Sequence, residues 1–267
     1  MSKMKMLALL ACAAAALPLG ARAEGEDAVS ATLDVPVLSA YVWRGQVLVD
    51  DPVVQPTFTV AKGGFAINWW GSFNLDDNAT GDDFEFSEHD ITLSYSTTCP
   101  LTGAGVTVGV VNYDFPNVGL TDAEGNLSLV NDTREAFLTY ALSEVILAPT
   151  LAVYYDFKEA DGFYGSLGVS HSIEIAEKLS LGLAASLGAA DSDWGSFYFG
   201  DTGSGLTDYS VSASLPVALT DSLTLTPGVQ YTGLLDDAKD AVDASGDSLY
   251  FGDTEKVIGS VKLSYAF

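Results

Sequence analysis

The chain closes on VIGSVKLSYAF, residues 257–267. Val257, Gly259, Val261, Leu263, Tyr265 and Phe267 form one set, and Ser260, Lys262 and Ser264 fall between them. Successive strand residues point to opposite faces, so the stretch reads as a strand with one apolar face and one small or polar face. The same period runs back through the chain. Leu223, Leu225, Pro227, Val229 and Tyr231 alternate with Thr224, Thr226, Gly228, Gln230 and Thr232. Tyr209, Val211, Ala213, Leu215 and Val217 alternate with Ser210, Ser212, Ser214, Pro216 and Ala218. No segment after the N-terminal export signal shows a convincing helical period, and Gly182 and Gly188 argue against a helix in the Ala-rich stretch between them.

Twelve such segments are predicted, at 30–44, 53–62, 65–75, 84–97, 105–115, 133–143, 147–157, 163–175, 179–191, 206–219, 223–235 and 255–267. Most have the length of a tilted membrane-crossing strand. Their connections alternate between short turns and longer loops rich in Gly, Asp, Asn and Ser, such as 45–52, 76–83, 116–132, 192–205 and 236–254. An even strand count with turns at one end and loops at the other describes an all-β transmembrane antiparallel barrel. Its turns are periplasmic and its acidic loops extracellular. A hairpin hidden in 116–132, or lost from it, would change the count by two.

A soluble β-sandwich also alternates. Three features favour the bilayer. The non-apolar faces carry Ser, Thr and Gly rather than Lys and Glu. Aromatics gather toward strand ends: Tyr41, Trp43, Phe73, Phe84, Tyr113, Tyr155, Phe157, Phe163 and Tyr231 at the loop end, and Phe58, Phe65, Tyr95, Tyr140, Tyr265 and Phe267 at the turn end. Two such belts match the two interfaces of a membrane. Finally, residues 1–23 read as a cleaved signal peptide, with Lys3 and Lys5, an apolar run at 6–19 and the small-x-small site Ala21-Arg22-Ala23. Residues 24–267 then form the barrel. The weaker alternative is a lipoprotein box at Cys12, which follows too short an apolar run.

Cleavage leaves Cys99 as a lone thiol, so no internal disulfide supports the fold. The formal charge of −25 includes Lys3, Lys5 and Arg22, so the mature chain carries −28. Such a chain repels nucleic acid and attracts cations. With 48% hydrophobic residues it is not a disordered acidic chain.

The opening stretch SAYVWRGQVLVDDPVVQPTFTVAKGGFAINWWGS contains Ser39, Tyr41, Trp43, Arg44 and Gly45, then Pro52, Gln55, Gly63-Gly64 and Trp70-Gly71. With EHDITLSY (88–95) and GVVNYDFPN (109–117) it resembles the TorF-like outer-membrane porin family, a largely uncharacterised group. The likeness covers about the first half of the chain. It departs at Trp43, where that family commonly has Phe, and in the acidic loop 236–253. It implies a porin-like barrel and supplies no substrate or site residue. The terminal Phe267 likewise resembles the C-terminal signal of the bacterial barrel-assembly machinery.

In a barrel the polar phase points inward. Alternation places Asp34, Arg44, Gln55, Asn68, Glu88, Asp90, Asp156, Glu174, Gln230 and Lys262 on the lumen side, as pore-lining candidates or as a salt-bridged plug. Arg44 ends the first strand in this reading; Asp90 or Glu88 is its expected partner, and binding of a passing anion or setting of the constriction is the alternative, which can hold together with the pair. The loop acids Asp76, Asp77, Asp82, Asp83, Asp191, Asp193, Asp236, Asp237, Asp240 and Asp243 match no EF-hand register, and read as a solvated surface bridged to lipopolysaccharide by divalent cations. His89 and His171 fall on the lipid side, and His171 points away from the adjacent Ser172, so no catalytic or zinc constellation is expected. The function expected is a porin-like channel for passive diffusion of small solutes, favouring cations, in a bacterial outer membrane. It would need no cofactor, and homo-oligomers are left open. The alternative is a closed structural or adhesive barrel displaying acidic loops; a lipid-modifying enzyme comes third.

Overall fold

The computed structural model describes residues 28–75, 86–116, 119–121, 127–129, 131–200, 202–245 and 253–267. The expected signal peptide, the belt residue Phe84 and the loop acids Asp76, Asp77, Asp82 and Asp83 lie outside them.

The wall is built from β1 (Ser30–Leu38), β2 (Val53–Val54 and Thr57–Lys62), β3 (Phe65–Asn74), β4 (Phe86–Thr98), β5 (Gly105–Asp114) and β6 (Thr133–Ala141). It continues with β7 (Thr150–Asp156), β8 (Gly162–Ala176), β9 (Leu179–Ala190), β10 (Gly205–Ser214, resumed at Val217–Ala218), β11 (Leu223–Leu234) and β12 (Glu255–Ala266). Each strand pairs antiparallel with the next in sequence. The ring shuts where β1 meets β12, with Leu33 opposite Tyr265 and Asp34 opposite Ser264. This is a twelve-stranded antiparallel barrel. The chain's last strand is the closing strand, and closure removes the sheet edges that an open antiparallel sheet would leave unpaired.

Proline marks the two places where a strand is interrupted. At Pro56 the hydrogen bonding continues around the break, with Gln55 N–H donating to Pro36 O (3.0 Å) and Gly71 N–H to Pro56 O (3.1 Å). At Pro216, Ser180 N–H donates to the proline carbonyl (3.2 Å). Each proline lacks a donor, yet each carbonyl is used.

The apolar phase faces outward. Ile67, Leu93, Val108, Leu138, Leu151, Leu167, Val211, Val229 and Val261 are all exposed, Leu167 at 55% and Val211 at 54%. A sandwich would have buried this set. Phe58, Phe65, Tyr95, Tyr265 and Phe267 at the turn end, and Phe157, Phe163 and Tyr231 at the loop end, are exposed as expected of belts. Tyr41, Trp43 and Tyr113 are not in a belt: they are buried inside the barrel.

For Tyr113 the reason is parity, since it lies in the phase opposite to outward Val108 and Val110; for Tyr41 and Trp43 it lies in the loops. The first strand ends at Leu38, not at residue 44, and the chain then turns into a separate hairpin, Tyr41–Trp43 paired with Gln46–Val49. Two loop segments are helical, against expectation: α1 (Ser192–Tyr198) and α2 (Asp236–Ser245). Asp191 caps α1, accepting from Trp194 N–H at 2.9 Å. The hairpin, Trp194, Tyr198 and Phe199 of the α1 loop, and Ala238 and Val242 of α2 join Trp70, Val111, Tyr113, Tyr164 and Leu234 of the wall in one buried cluster. The apolar core of this protein sits inside its barrel, toward the loop end.

Candidate functional site

The hairpin turns on Arg44-Gly45, with Trp43 opposite Gln46. Both turn residues have positive φ, +45° and +81°, as a two-residue hairpin turn of the primed class requires. Gly45 meets that demand without strain; Arg44 adopts it because its side chain is anchored.

The anchor is Glu135 on β6. Arg44 Nη1 and Nη2 each donate to a different Glu135 oxygen at 2.8 Å. Glu135 is fully buried and also accepts from Tyr113 OH (2.7 Å) and Trp194 Nε1 (3.4 Å). Four rings surround the guanidinium carbon: Tyr164 at 4.0 Å, Trp43 at 4.4 Å, Tyr154 at 4.7 Å and Trp194 at 5.1 Å. A planar cation suits both the carboxylate fork and the ring faces. Burial works against the charge, but the adjacent Glu135 outweighs it and holds the guanidinium well above its ordinary range. The expected pairing with Asp90 or Glu88 is therefore corrected to Glu135. Glu88 instead accepts from Tyr41 OH at 3.0 Å.

Two more acids organise the surroundings. Asp156 accepts from Thr133 Oγ1 (2.9 and 3.0 Å), Tyr198 OH (2.7 Å) and the N–H groups of Lys158 and Glu159 (3.0 Å each). It ties β6, β7, α1 and the β7–β8 turn together. Asp208 on β10 accepts from Tyr164 OH (3.1 and 3.2 Å) and Thr207 Oγ1 (2.8 Å).

Of the ten residues predicted to face the lumen, Arg44, Gln55, Asn68, Glu88, Asp90 and Asp156 are buried inside the barrel. Gln55 reaches Ser72 Oγ (3.4 Å) and Asn68 reaches Thr59 Oγ1 (2.7 Å). Asp34, Gln230 and Lys262 face inward and are half-buried. Glu174 lies at the exposed turn-side end of β8, outside the buried cluster. Sequence reasoning missed Glu135, Asp208, Tyr113, Trp194, Tyr198 and Lys256. Glu135 and Asp208 were within reach of the alternation: outward Leu138 sets Glu135 in the inward phase, and outward Tyr209 and Val211 do the same for Asp208. Lys256, on the inward face of β12, binds Asp253 (2.8 Å) and Asp50. Of the histidines, His89 Nε2 lies 3.0 Å from Asp114, and His171 is exposed.

The turn half of the lumen is different in kind. Its inward side chains are small and hydroxylic, with contacts such as Ser186 to Ser210 (2.8 Å) and Ser96 to Thr107 (2.9 Å). A recess of about 450 Å³ there is lined by Ser143, Ser170, Ser172, Ser212 and Ser214 on its polar side and by Val145, Leu147, Ala148 and Leu183 on its apolar side. The interior is thus a polar vestibule on the turn side, and a dense aromatic and ion-paired constriction on the loop side.

A closed barrel with an apolar exterior, a small polar lumen and loops folded inward has the architecture of the outer-membrane porins. The chain belongs to a bacterial protein family of unknown function, Gcw_chp, whose sequence profile matches residues 22–262. Among solved structures it is similar to the KdgM porin, with 10% identity, a TM-score of 0.51, and coverage of 88% of this chain and 99% of that one. It is also similar to an outer membrane channel from Pseudomonas putida F1, with 11% identity, a TM-score of 0.50, and 94% and 99% coverage. The KdgM porin in complex with disordered oligogalacturonate matches at 9% identity and a TM-score of 0.50, covering 89% and 99%. At these identities the likeness is one of fold. No curated protein matches the chain.

Proposed function

We propose that the chain is an outer-membrane channel for passive diffusion of small solutes, with a preference for cations. The charge of the lumen carries this reading. Asp34, Glu88, Asp90, Glu135, Asp156 and Asp208 face inward, against the cations Arg44, Lys256 and Lys262. Charge of one sign in a low-dielectric bore concentrates counter-ions and excludes co-ions. The resemblance of residues 39–71 to TorF-like porins supports the channel and says nothing of its ion preference. A polyanion such as the ligand in the KdgM complex is a poor fit to this interior. Export by residues 1–23, delivery through Phe267 to the assembly machinery, and loop contacts with lipopolysaccharide complete the proposed setting.

The constriction sets the bore. The hairpin strands form a two-stranded sheet of their own, outside the ladder of the wall. Backbone bonds tie the chain to the wall on either side of it, at Ser39 N–H to Gly259 O (2.9 Å) and Leu75 N–H to Pro52 O (2.9 Å). Between those anchors side-chain packing fixes the hairpin, so solute passage is coupled to its position. The packed loop-side interior also favours a second reading, a permanently closed barrel that displays its acidic loops.

Single-channel recording of the refolded mature chain in a planar bilayer, under a salt gradient, separates the two. Discrete steps with a cation-selective reversal potential are expected. Anion-selective steps would transfer selectivity to Arg44 and the lumen lysines. A folded, heat-modifiable barrel that stays silent would overturn the channel in favour of the closed one.

A further inference from the structure

The receptor that holds Arg44 is assembled almost entirely without the hairpin. Glu135 comes from β6, Tyr113 from β5, Tyr154 from β7, Tyr164 from β8 and Trp194 from α1. These elements have their own supports: Tyr113 OH on Glu135, Tyr164 OH on Asp208, and the Asp191 cap that seats Trp194. From the hairpin comes the ligand itself, and Trp43 as a fourth ring.

The hairpin is bound at a disadvantage. Docking leaves Trp43 Nε1 and Gln46 Nε2 buried without a hydrogen-bond partner. Each such donor loses its water without replacement. Arg44 is held in the left-handed region, which a side chain seldom adopts. With no backbone ladder to the wall, these penalties are set against the Arg44–Glu135 pair, the Tyr41 OH–Glu88 hydrogen bond, the ring contacts and the burial of Val47, Leu48 and Val49. Detached, the hairpin would leave a carboxylate fork flanked by aromatic faces, open to an acidic lumen.

We propose that this cage is a binding site for guanidinium-bearing solutes, and that Arg44 is a tethered competitor occupying it. A guanidinium solute arriving from the loop side takes the place of the Arg44 side chain, so that binding and hairpin release are one event. The proposal deepens the cation-channel reading and rests on it for its physiological meaning; the site itself is testable without any conductance. An ammonium is a poorer fit, because a point charge cannot use both carboxylate oxygens in one plane.

The test uses full-length Arg44→Gly, refolded in detergent and checked for heat-modifiable migration. Glycine suits the positive φ of that position and vacates the cage. Ethylguanidinium is titrated against ethylammonium and urea at constant ionic strength, with tryptophan emission as readout, since Trp43 and Trp194 flank the site. Saturable binding of ethylguanidinium is expected, at least about tenfold tighter than ethylammonium, and lost in Arg44→Gly/Glu135→Gln. Equal response to the two cations, or binding that survives Glu135→Gln, would overturn the site. If the variant folds poorly, the wild-type channel decides: ethylguanidinium on the loop side should raise open probability where ethylammonium does not, and identical traces would count against the proposal. A wild-type barrel that is silent, beside an Arg44→Gly variant that passes the titration, would sink the channel reading alone.

Discussion

Gly45→Ala tests whether the hairpin is a detachable part. Two penalties meet at this residue. The first is conformational: at φ +81° an alanine is disfavoured by roughly 1–2 kcal/mol. That penalty follows the turn wherever the hairpin goes, so it bears on turn formation and not on docking. The second is steric. A Cβ at residue 45 would lie 2.7 Å from Leu234 Cδ2, 2.8 Å from Asp208 Cβ and 2.9 Å from Gly233 O. The last is backbone on β11 and cannot step aside. Overpacking of this kind costs about 1–3 kcal/mol, and all of it falls on the docked state. The undocked fraction should therefore rise roughly 5- to 150-fold. Arg44 supplies the assay. Its guanidinium is buried in the native barrel, and the bond after it should resist trypsin until the hairpin leaves the lumen. The alanine variant should be nicked after Arg44 at a rate raised by that factor, with the barrel band still heat-modifiable, and its channels should open more often. A variant folded like the wild type and just as protected at Arg44 would refute the steric argument, and with it the picture of a detachable hairpin.

Asp191→Ala removes the α1 cap and the acceptor for Phe163 N–H (2.9 Å); a loss of about 0.5–2 kcal/mol is expected in denaturant unfolding, with Trp194 becoming more accessible to a quencher. Val211→Arg and Ser212→Arg are adjacent changes on opposite faces. The first should destabilise the barrel in bilayers by roughly 2–4 kcal/mol near the midplane, while the second should leave stability close to wild type and shift the reversal potential toward anions. Deleting Phe267 should lower the amount of barrel assembled in cells far more than the yield refolded in detergent. Its ring meets Tyr265 edge-on at 4.8 Å and Phe58 edge-on at 6.3 Å, and the residue is still 72% exposed. Equal effects in both settings would make Phe267 a packing residue rather than an assembly signal.

Much of the wall was legible because its signal is local and repeated. A strand residue's face depends on parity alone, so Val211 outward and Ser212 inward can be read from Tyr209 to Ala213 without knowing any neighbour. Twelve such segments with alternating short and long connections leave little freedom in topology. The site was legible in part for the same reason. Asn68, Glu88, Asp90 and Asp156 sit in the polar phase of their strands and are buried inside the barrel. Glu135 and Asp208 obey the same rule and could have joined them. In α2, the four-residue spacing of Ala238 and Val242, with Asp236 and Asp237 in the first turn, is a helix signal, but a faint one beside the period-two pattern of the wall. In α1, seven residues around Gly195 carry too short a period to show one.

The sequence by itself determined most of the strands, the face of most wall residues and the acidity of the chain, since these follow from covalent order and period two; Tyr113, in the phase opposite to outward Val108 and Val110, was readable in this way too. The tertiary structure alone decided that Tyr41 and Trp43 serve an interior core rather than a membrane belt. It also decided that Arg44 answers to Glu135, 91 residues away. The reason is physical. An aromatic residue near a strand end has the same local pattern whether it meets lipid or lumen, and a guanidinium among many carboxylates has no local preference. Which one it meets depends on loops folding back through a barrel that must first be closed.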